Sequence, residues 1–439
     1  MRGILMLLLT GLAGSLLAQR APDNVMIFDG EGLSYQPCEP SIAISLKDPD
    51  IMVAGSILDN VHRSTDGGWT WKTDTLTSRY GVFGDPCVVA APNGDFYYLH
   101  LSNPDGTGWE SDALLDRIVV QRGKRQGRSW NKGYGMGLND KKDQDKEWAS
   151  VSDDGHSMVT CWTQFDKYGS PEAADSTVIL CSTSNRKAKK WSDPVRVNRI
   201  AGDCLDGDLT VEGAVPDFGP DGEIYVAWAH ADTIWMDRSL DGGVTWLERD
   251  LKVARISGGW DQKIRGLGRS NGMPVTRVDR SDGPNRGRIY VNWTDDRNGE
   301  DDQDVWLCYS DDGGNNWTAP IRVNDDPAGA QQFFPWMAVD NVTGHVHIVF
   351  YDRRAAAARY PDPRMRPSWR TDVYVATSTD GGDTWKNLEV SEKPFEPTGK
   401  GFFGDYNNIS AHDGRVRPIW TRNDGGVLSI WTAFMDGYE

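Results

Sequence analysis

An eight-residue pattern returns through the chain at near-even intervals and constrains the fold more than any other feature. Ser64-Thr65-Asp66-Gly67-Gly68-Trp69-Thr70-Trp71 recurs as Ser239 to Trp246, Ser310 to Trp317 and Ser378 to Trp385. Weaker copies, Gly123 to Trp130 and Ser184 to Trp191, keep only the frame. The closing tryptophans Trp71, Trp130, Trp191, Trp246, Trp317 and Trp385 stand 55 to 71 residues apart. Such a period marks a repeat architecture, each unit too small to bury its own apolar face. The chemistry of the pattern predicts a tight reversal between two strands. Asp and Ser side chains satisfy nearby backbone N–H groups, Gly-Gly accepts positive φ, and the trailing Trp packs inward.

A second repeat precedes each copy: a short strand, a Gly/Asp turn, then a strongly apolar strand closing on an aromatic. Gly222 to Trp228 and Gly287 to Trp293 are the clearest, and others close at Trp162, Phe350 and Trp420. Weaker instances lie at Ile51 to Gly55 and Phe96 to His100, so seven inner hairpins stand against six outer turns. The last unit, Gly404 to Met435, has three strands and no closing turn. Val25 to Phe28, an isolated apolar strand, is predicted to pair with Ser429 to Met435, which would close a ring and remove its exposed edges. Seven blades are expected, with six as the alternative count.

On these repeats the outer turn is identified as an Asp-box, and the chain resembles the sialidase superfamily of β-propellers over essentially residues 19–439. The resemblance implies an all-β single domain of four-stranded blades, the Asp-box turns gathered on one face. Label the strands of a blade A to D from the channel outward. The A–B turns (Asn93-Gly94, Asp221-Gly222, Asp413-Gly414) then share a face with the boxes, and the A-strand lead-ins share the other face with the B–C loops. Function concentrates on irregular loops of a rigid scaffold, so the second face is the candidate.

Aligned lead-in positions on that face read Glu39, Asp85, Glu147, Glu212, Met273, Phe334 and Asp405. A recurring carboxylate there either binds backbone N–H groups or forms an acidic mouth. The B–C loops of blades five to seven carry Arg297, Arg353, Arg354 and Arg422 beside Trp293, Tyr351 and Trp420. Guanidinium groups beside aromatics suit a planar carboxylate ligand, the alternative being pairing with Asp295, Asp352 and Asp424.

In sialidases three arginines hold the sugar carboxylate, a Tyr paired with a Glu attacks the anomeric carbon, and an Asp is the acid/base. The resemblance therefore implies Tyr406 as nucleophile, Glu147 or Glu212 as its base, and Asp85 as the acid. Arg297, Arg353, Arg354 and Arg422, with Asp405, would bind an acidic glycan. The chain departs from the family before its first box. Where sialidases carry Phe/Tyr-Arg-Ile-Pro it reads Pro37-Cys38-Glu39-Pro40-Ser41-Ile42, so one triad arginine is missing from its place. Two other functions fit such a scaffold. One is a polysaccharide lyase using His100, His230 or a Tyr as base. The other is a propeller that binds sugar or protein without catalysis.

Charge narrows the partners. The 439 residues carry a net charge of −17, a field that repels phosphate backbones and excludes nucleic acid. Arg2 followed by an apolar run from Ile4 to Leu17 has the form of a signal peptide over residues 1–18, and no other stretch is long and apolar enough to span a bilayer. An exported protein, periplasmic or extracellular, is expected. Its six cysteines permit disulfides, with roughly 15 pairings open. No zinc spacing occurs. Asp295 to Asp304 is oxygen-rich enough to hold calcium, but reads first as a solvated acidic loop. His345 and His347 share a strand face with no third ligand, so packed or exposed histidines are expected there. No cofactor is expected.

Overall fold

A computed structural model describes residues 22–185, 187–366, 369–397 and 401–438. The expected signal segment, 1–18, lies outside them. Seven antiparallel sheets follow one another around a channel, each with strand order A-B-C-D. Blade one spans 41–75, blade two 87–136, blade three 143–196, blade four 212–255, blade five 275–322 and blade six 332–389. Blade seven takes its three inner strands from 408–433 and its outer strand from Asn24–Asp29. The register runs from Asn24 opposite Ala433 to Asp29 opposite Ser429, as the apolar pattern of Val25 to Phe28 predicts. Helix is confined to Arg354–Arg359 and two 3-10 turns among the described residues.

The B strands are buried on both faces, which is why they read as continuous apolar runs. Their closing aromatics Trp162, Trp228, Trp293, Phe350 and Trp420 are fully buried in the contacts between blades. Blade two departs from the four-stranded rule. After strand Ile118–Lys124 the chain turns through Arg125 and Gln126, both at positive φ. The outer strand then breaks into two pieces, 129–130 and 134–136, that pair with the same neighbour.

The four complete repeats fold alike. In each, the Ser hydroxyl donates to the Asp carboxylate and accepts from the second Gly N–H: Ser64, Asp66 and Gly68 in blade one, Ser239, Asp241 and Gly243 in blade four, Ser310, Asp312 and Gly314 in blade five, Ser378, Asp380 and Gly382 in blade six. The Asp carboxylate also accepts from the residue four positions on, Thr384 in the last case. Gly67 donates to the Asp50 carbonyl, which puts this turn and the A–B turn of blade one on one face. Cys161 and Cys181 oppose one another on the B and C strands of blade three and form a disulfide; Cys38, Cys87, Cys204 and Cys308 are free and buried.

A candidate acid–base site at the channel mouth

Where each chain segment turns into its A strand, several blades carry an extra residue. Register shifts fall between Asp145 and Trp148, Glu212 and Val215, and Phe333 and Trp336. A bulge of this kind re-aims the side chains around it. Glu39, Asp85, Lys146, Gly213 and Phe334 all take left-handed φ, between 48° and 76°. For residues other than glycine this is a strained conformation, and such strain gathers at functional sites. The equivalent position in blade three is therefore Lys146 and in blade four Gly213. The alignment of Glu147 and Glu212 with Glu39 is corrected by one residue in each direction.

The bulges bring together seven carboxyls and two cations. Glu39 is buried and accepts from the Asp405 backbone N–H at 3.1 Å. Burial, then Asp85 and Asp405, hold its carboxyl well above the usual range. Burial also raises Asp85, with Lys146 opposing at 3.9 Å. Burial, then the charges of Asp85 and Asp206, push Asp145 up to about 8. Glu212, on the Asp145–Asp206 side, is raised by burial and the same two neighbours. Across the mouth, Arg269 forks onto Asp405 and reaches Asp206 at 2.9 Å, while the Tyr168 hydroxyl donates to Asp206 at 2.5 Å. The result is a set of carboxyls raised above their usual range, Asp145 to about 8, beside others tied into ion pairs. That combination can both give and take a proton.

Under the carboxyls lies an aromatic floor. Trp148, Trp336 and Tyr406 contact one another with ring centroids 4.2 to 5.8 Å apart, and the Lys146 ammonium sits 3.8 Å over the Tyr406 ring. Tyr406 is buried, its hydroxyl faces the Pro86 carbonyl at 3.4 Å, and burial with Glu39, Asp85 and Glu147 raises it well above the usual phenol. Of its expected partners, Glu147 and Asp85 are its neighbours; Glu212 belongs to the opposite group. Glu147 is fully buried and both its oxygens lack a hydrogen-bond partner among the described residues.

The expected arginine side does not form. Arg297 folds back onto Asp295 at 2.8 Å and lies over Trp306. Arg354 pairs with Asp352 and Asp325, and Arg422 with Asp424 and Glu392. Arg353 is fully buried on Thr371, Gln331 and the Arg265 carbonyl. For Arg297, Arg354 and Arg422 a carboxylate within two residues captures the guanidinium before it can converge on the channel, while neutral acceptors hold Arg353. In the acidic loop, Asp295, Asp301 and Asp304 are likewise taken by Arg297, Arg265 and Arg322, and no metal-type group of His, Cys, Asp or Glu occurs among the described residues. His347 bonds Thr377. His100 is fully buried on the Leu101 carbonyl, away from the mouth.

Asp145, Lys146, Tyr168, Asp206 and Arg269 were not legible as site residues. The signal for Asp145 and Lys146 is a charged triplet, Asp145-Lys146-Glu147, opening an otherwise apolar strand. Arg269 comes from the long loop before blade five, one of the two blades whose lead-in lacks a carboxylate.

No family model matches the sequence. Among solved structures, a protein of unknown function from Dyadobacter fermentans DSM 18053 is similar with a TM-score of 0.52 at 13% identity, over 94% of this chain and 98% of that one. A Hadza microbial sialidase has a TM-score of 0.48 at 14% identity, over 88% and 73%. A Penicillium chrysogenum α-L-arabinanase complexed with arabinobiose has a TM-score of 0.48 at 14% identity, over 76% and 94%. At these identities the likeness is one of fold.

Proposed function

We propose that the protein is an exported glycoside hydrolase whose chemistry is carried by the carboxyls of the mouth. The observation that carries this is the juxtaposition of Asp145, protonated at neutral pH, with Asp85 and the ion-paired Asp206. Hydrolysis of a glycosidic bond needs one carboxyl to protonate the leaving oxygen and another to accept a proton from water or to stabilise the oxocarbenium ion. Asp145 takes the first role and Asp85 or Asp206 the second. Tyr406, buried beneath them, positions Lys146 and is not the attacking group.

An aromatic rim supports a sugar as the ligand. Trp109 is 67% exposed and meets Phe83 and Tyr168 at 5.9 and 5.8 Å; Phe402 is exposed beside Arg269 across the mouth. Apolar faces of sugar rings stack on such side chains. The finer expectation, a sialidase-like exo-hydrolase for acidic sugars, now rests on two cations. One is Arg269; the other is Lys146, whose ammonium has no hydrogen-bond partner among the described residues. With seven carboxyls nearby, an anionic sugar fits only while Glu39, Asp145, Glu147 and Glu212 keep their protons. The Cys161–Cys181 disulfide, with the signal-like pattern of residues 1–18, supports an oxidising compartment. Among the described residues no helix is long and apolar enough to cross a membrane.

A glycan panel with neutral and carboxylated members tests the proposal. Water-added products that disappear in Asp145→Asn support it. Unsaturated, ultraviolet-absorbing products, or retention without turnover, overturn it.

A further inference from the structure

Below the aromatic floor, on the face of the Ser-x-Asp-Gly-Gly turns, the channel holds a cavity of about 370 Å³. Its walls are the inner halves of the A strands and mix apolar side chains, Ile42, Val88 and Ala338 among them, with polar ones that include Ser150, Asn408 and Ser410. Trp148 closes its inner end and is the one residue it shares with the mouth cluster described above.

Two guanidinium groups enter this cavity from blade five, and they are not equivalent. Arg280 is committed: it pairs with Asp153 at 3.0 Å, donates to the Val151 carbonyl at 3.0 Å, and lies 3.9 Å from Asp217. Asp217 is itself satisfied, accepting from the Ser150 hydroxyl and the Phe218 and Val278 N–H groups. Arg277 has none of this. Its one hydrogen bond runs to the carbonyl of its neighbour Thr276, and no carboxylate among the described residues reaches ion-pair distance. The guanidinium lies 6.0 Å from the Trp336 ring, whose buried Nε1 also lacks an acceptor. Burial lowers the pKa of Arg277, though its side chain is only partly buried and faces the cavity. A guanidinium presents forked N–H groups matched to a planar carboxylate, and Arg277, on which Asp217 acts only from beyond ion-pair distance, leaves N–H groups open to an anion in the cavity.

We propose that this cavity binds a small organic carboxylate, its head on Arg277 and a short apolar tail along the A-strand walls, as a site separate from the mouth. The walls choose between anions. A bare inorganic ion would leave the Ile42, Val88 and Ala338 side chains wet, whereas a tail of a few carbons covers them.

Butyrate is the probe, with butyramide as its uncharged counterpart, each titrated calorimetrically into the wild-type protein and into Arg277→Gln. Butyrate should bind the wild type, butyramide should not, and the substitution should weaken butyrate by roughly tenfold to a hundredfold. Equal binding of butyrate and butyramide, or butyrate affinity unchanged in Arg277→Gln, overturns the proposal. Crystals of the wild type soaked in 3-bromopropionate provide a second test that does not depend on the folding of a substituted protein. Anomalous bromine density in the channel with the carboxylate on Arg277 supports the site, and a channel holding water alone overturns it.

Discussion

Arg269 grips Asp405 through both carboxylate oxygens, joining the loop before blade five to the lead-in of blade seven across the mouth. The same guanidinium reaches Asp206 from the loop before blade four. One side chain thus fixes the spacing of three loops that no sheet hydrogen bond connects.

Replacing Arg269 should therefore cost both stability and activity. Arg269→Ala leaves Asp405 buried without its partner; the penalty is about 1–2 kcal/mol, the buried-pair figure reduced because half of Arg269 meets solvent. Denaturant unfolding measures it. Adding Asp405→Asn to Arg269→Ala should recover part of the stability and none of the turnover, and full additivity of the two changes would show that the pair is not coupled.

Asp145 sets a pH limit. Its carboxyl is raised to about 8 by burial first and then by Asp85 and Asp206. A general acid must hold its proton, so turnover should fall above about pH 8 and Asp145→Asn should abolish that limb along with most activity. The stability sign is the same. An acid with a raised folded pKa contributes most when protonated, and that contribution is lost as pH rises from its unfolded value near about 4 through the folded one. Asp145→Asn should then unfold at a higher temperature than wild type at pH 9, with the difference shrinking toward pH 4.

Trp109 should matter only to longer ligands. It stands at the rim, clear of the carboxyls, so Trp109→Ala should raise KM for oligosaccharides by about tenfold, in the range of a lost aromatic contact, and leave kcat on a small aryl glycoside unchanged. An equal effect on both substrates would remove Trp109 from the sugar path.

The Ser-x-Asp-Gly-Gly turns should be silent in catalysis. Ser378 is buried and serves Gly382 and Asp380 together, so Ser378→Ala should cost about 1–2 kcal/mol without altering KM. Asp380 is held at about 2 by its bonds from Thr384. A depressed carboxyl contributes above its unfolded pKa, so its share should vanish as pH falls from about 4 toward 2.

What could be read in advance followed the period of the pattern. Trp162, Trp228 and Trp293 mark the B strands because a strand buried on both faces must be apolar throughout, and Val25 to Phe28 announced its pairing by being an apolar strand without a local partner. The site was read through the same alignment and slipped where the period slips. A bulge moves Lys146, not Glu147, into the lead-in position, and one inserted residue in a strand exchanges the side chains of its two faces. Arg269 and Asp405 are 136 residues apart, and nothing local announces their meeting. The arginines failed for the opposite reason. Asp295 and Arg297 are neighbours in sequence, and a local ion pair needs less ordering than one gathered across the channel.

The ring is sealed by a strand from each end of the chain, and that decides the order in which it can form. Asn24–Asp29 leaves the ribosome first but has no sheet to join until Val427–Ala433 follows it some 400 residues later. Six blades can assemble in sequence during that interval, while the seventh waits and an open sheet edge stays exposed to any stray strand. A circularly permuted chain that begins between two intact blades would carry all four strands of blade seven in one stretch. Its last blade would fold as early as its neighbours do.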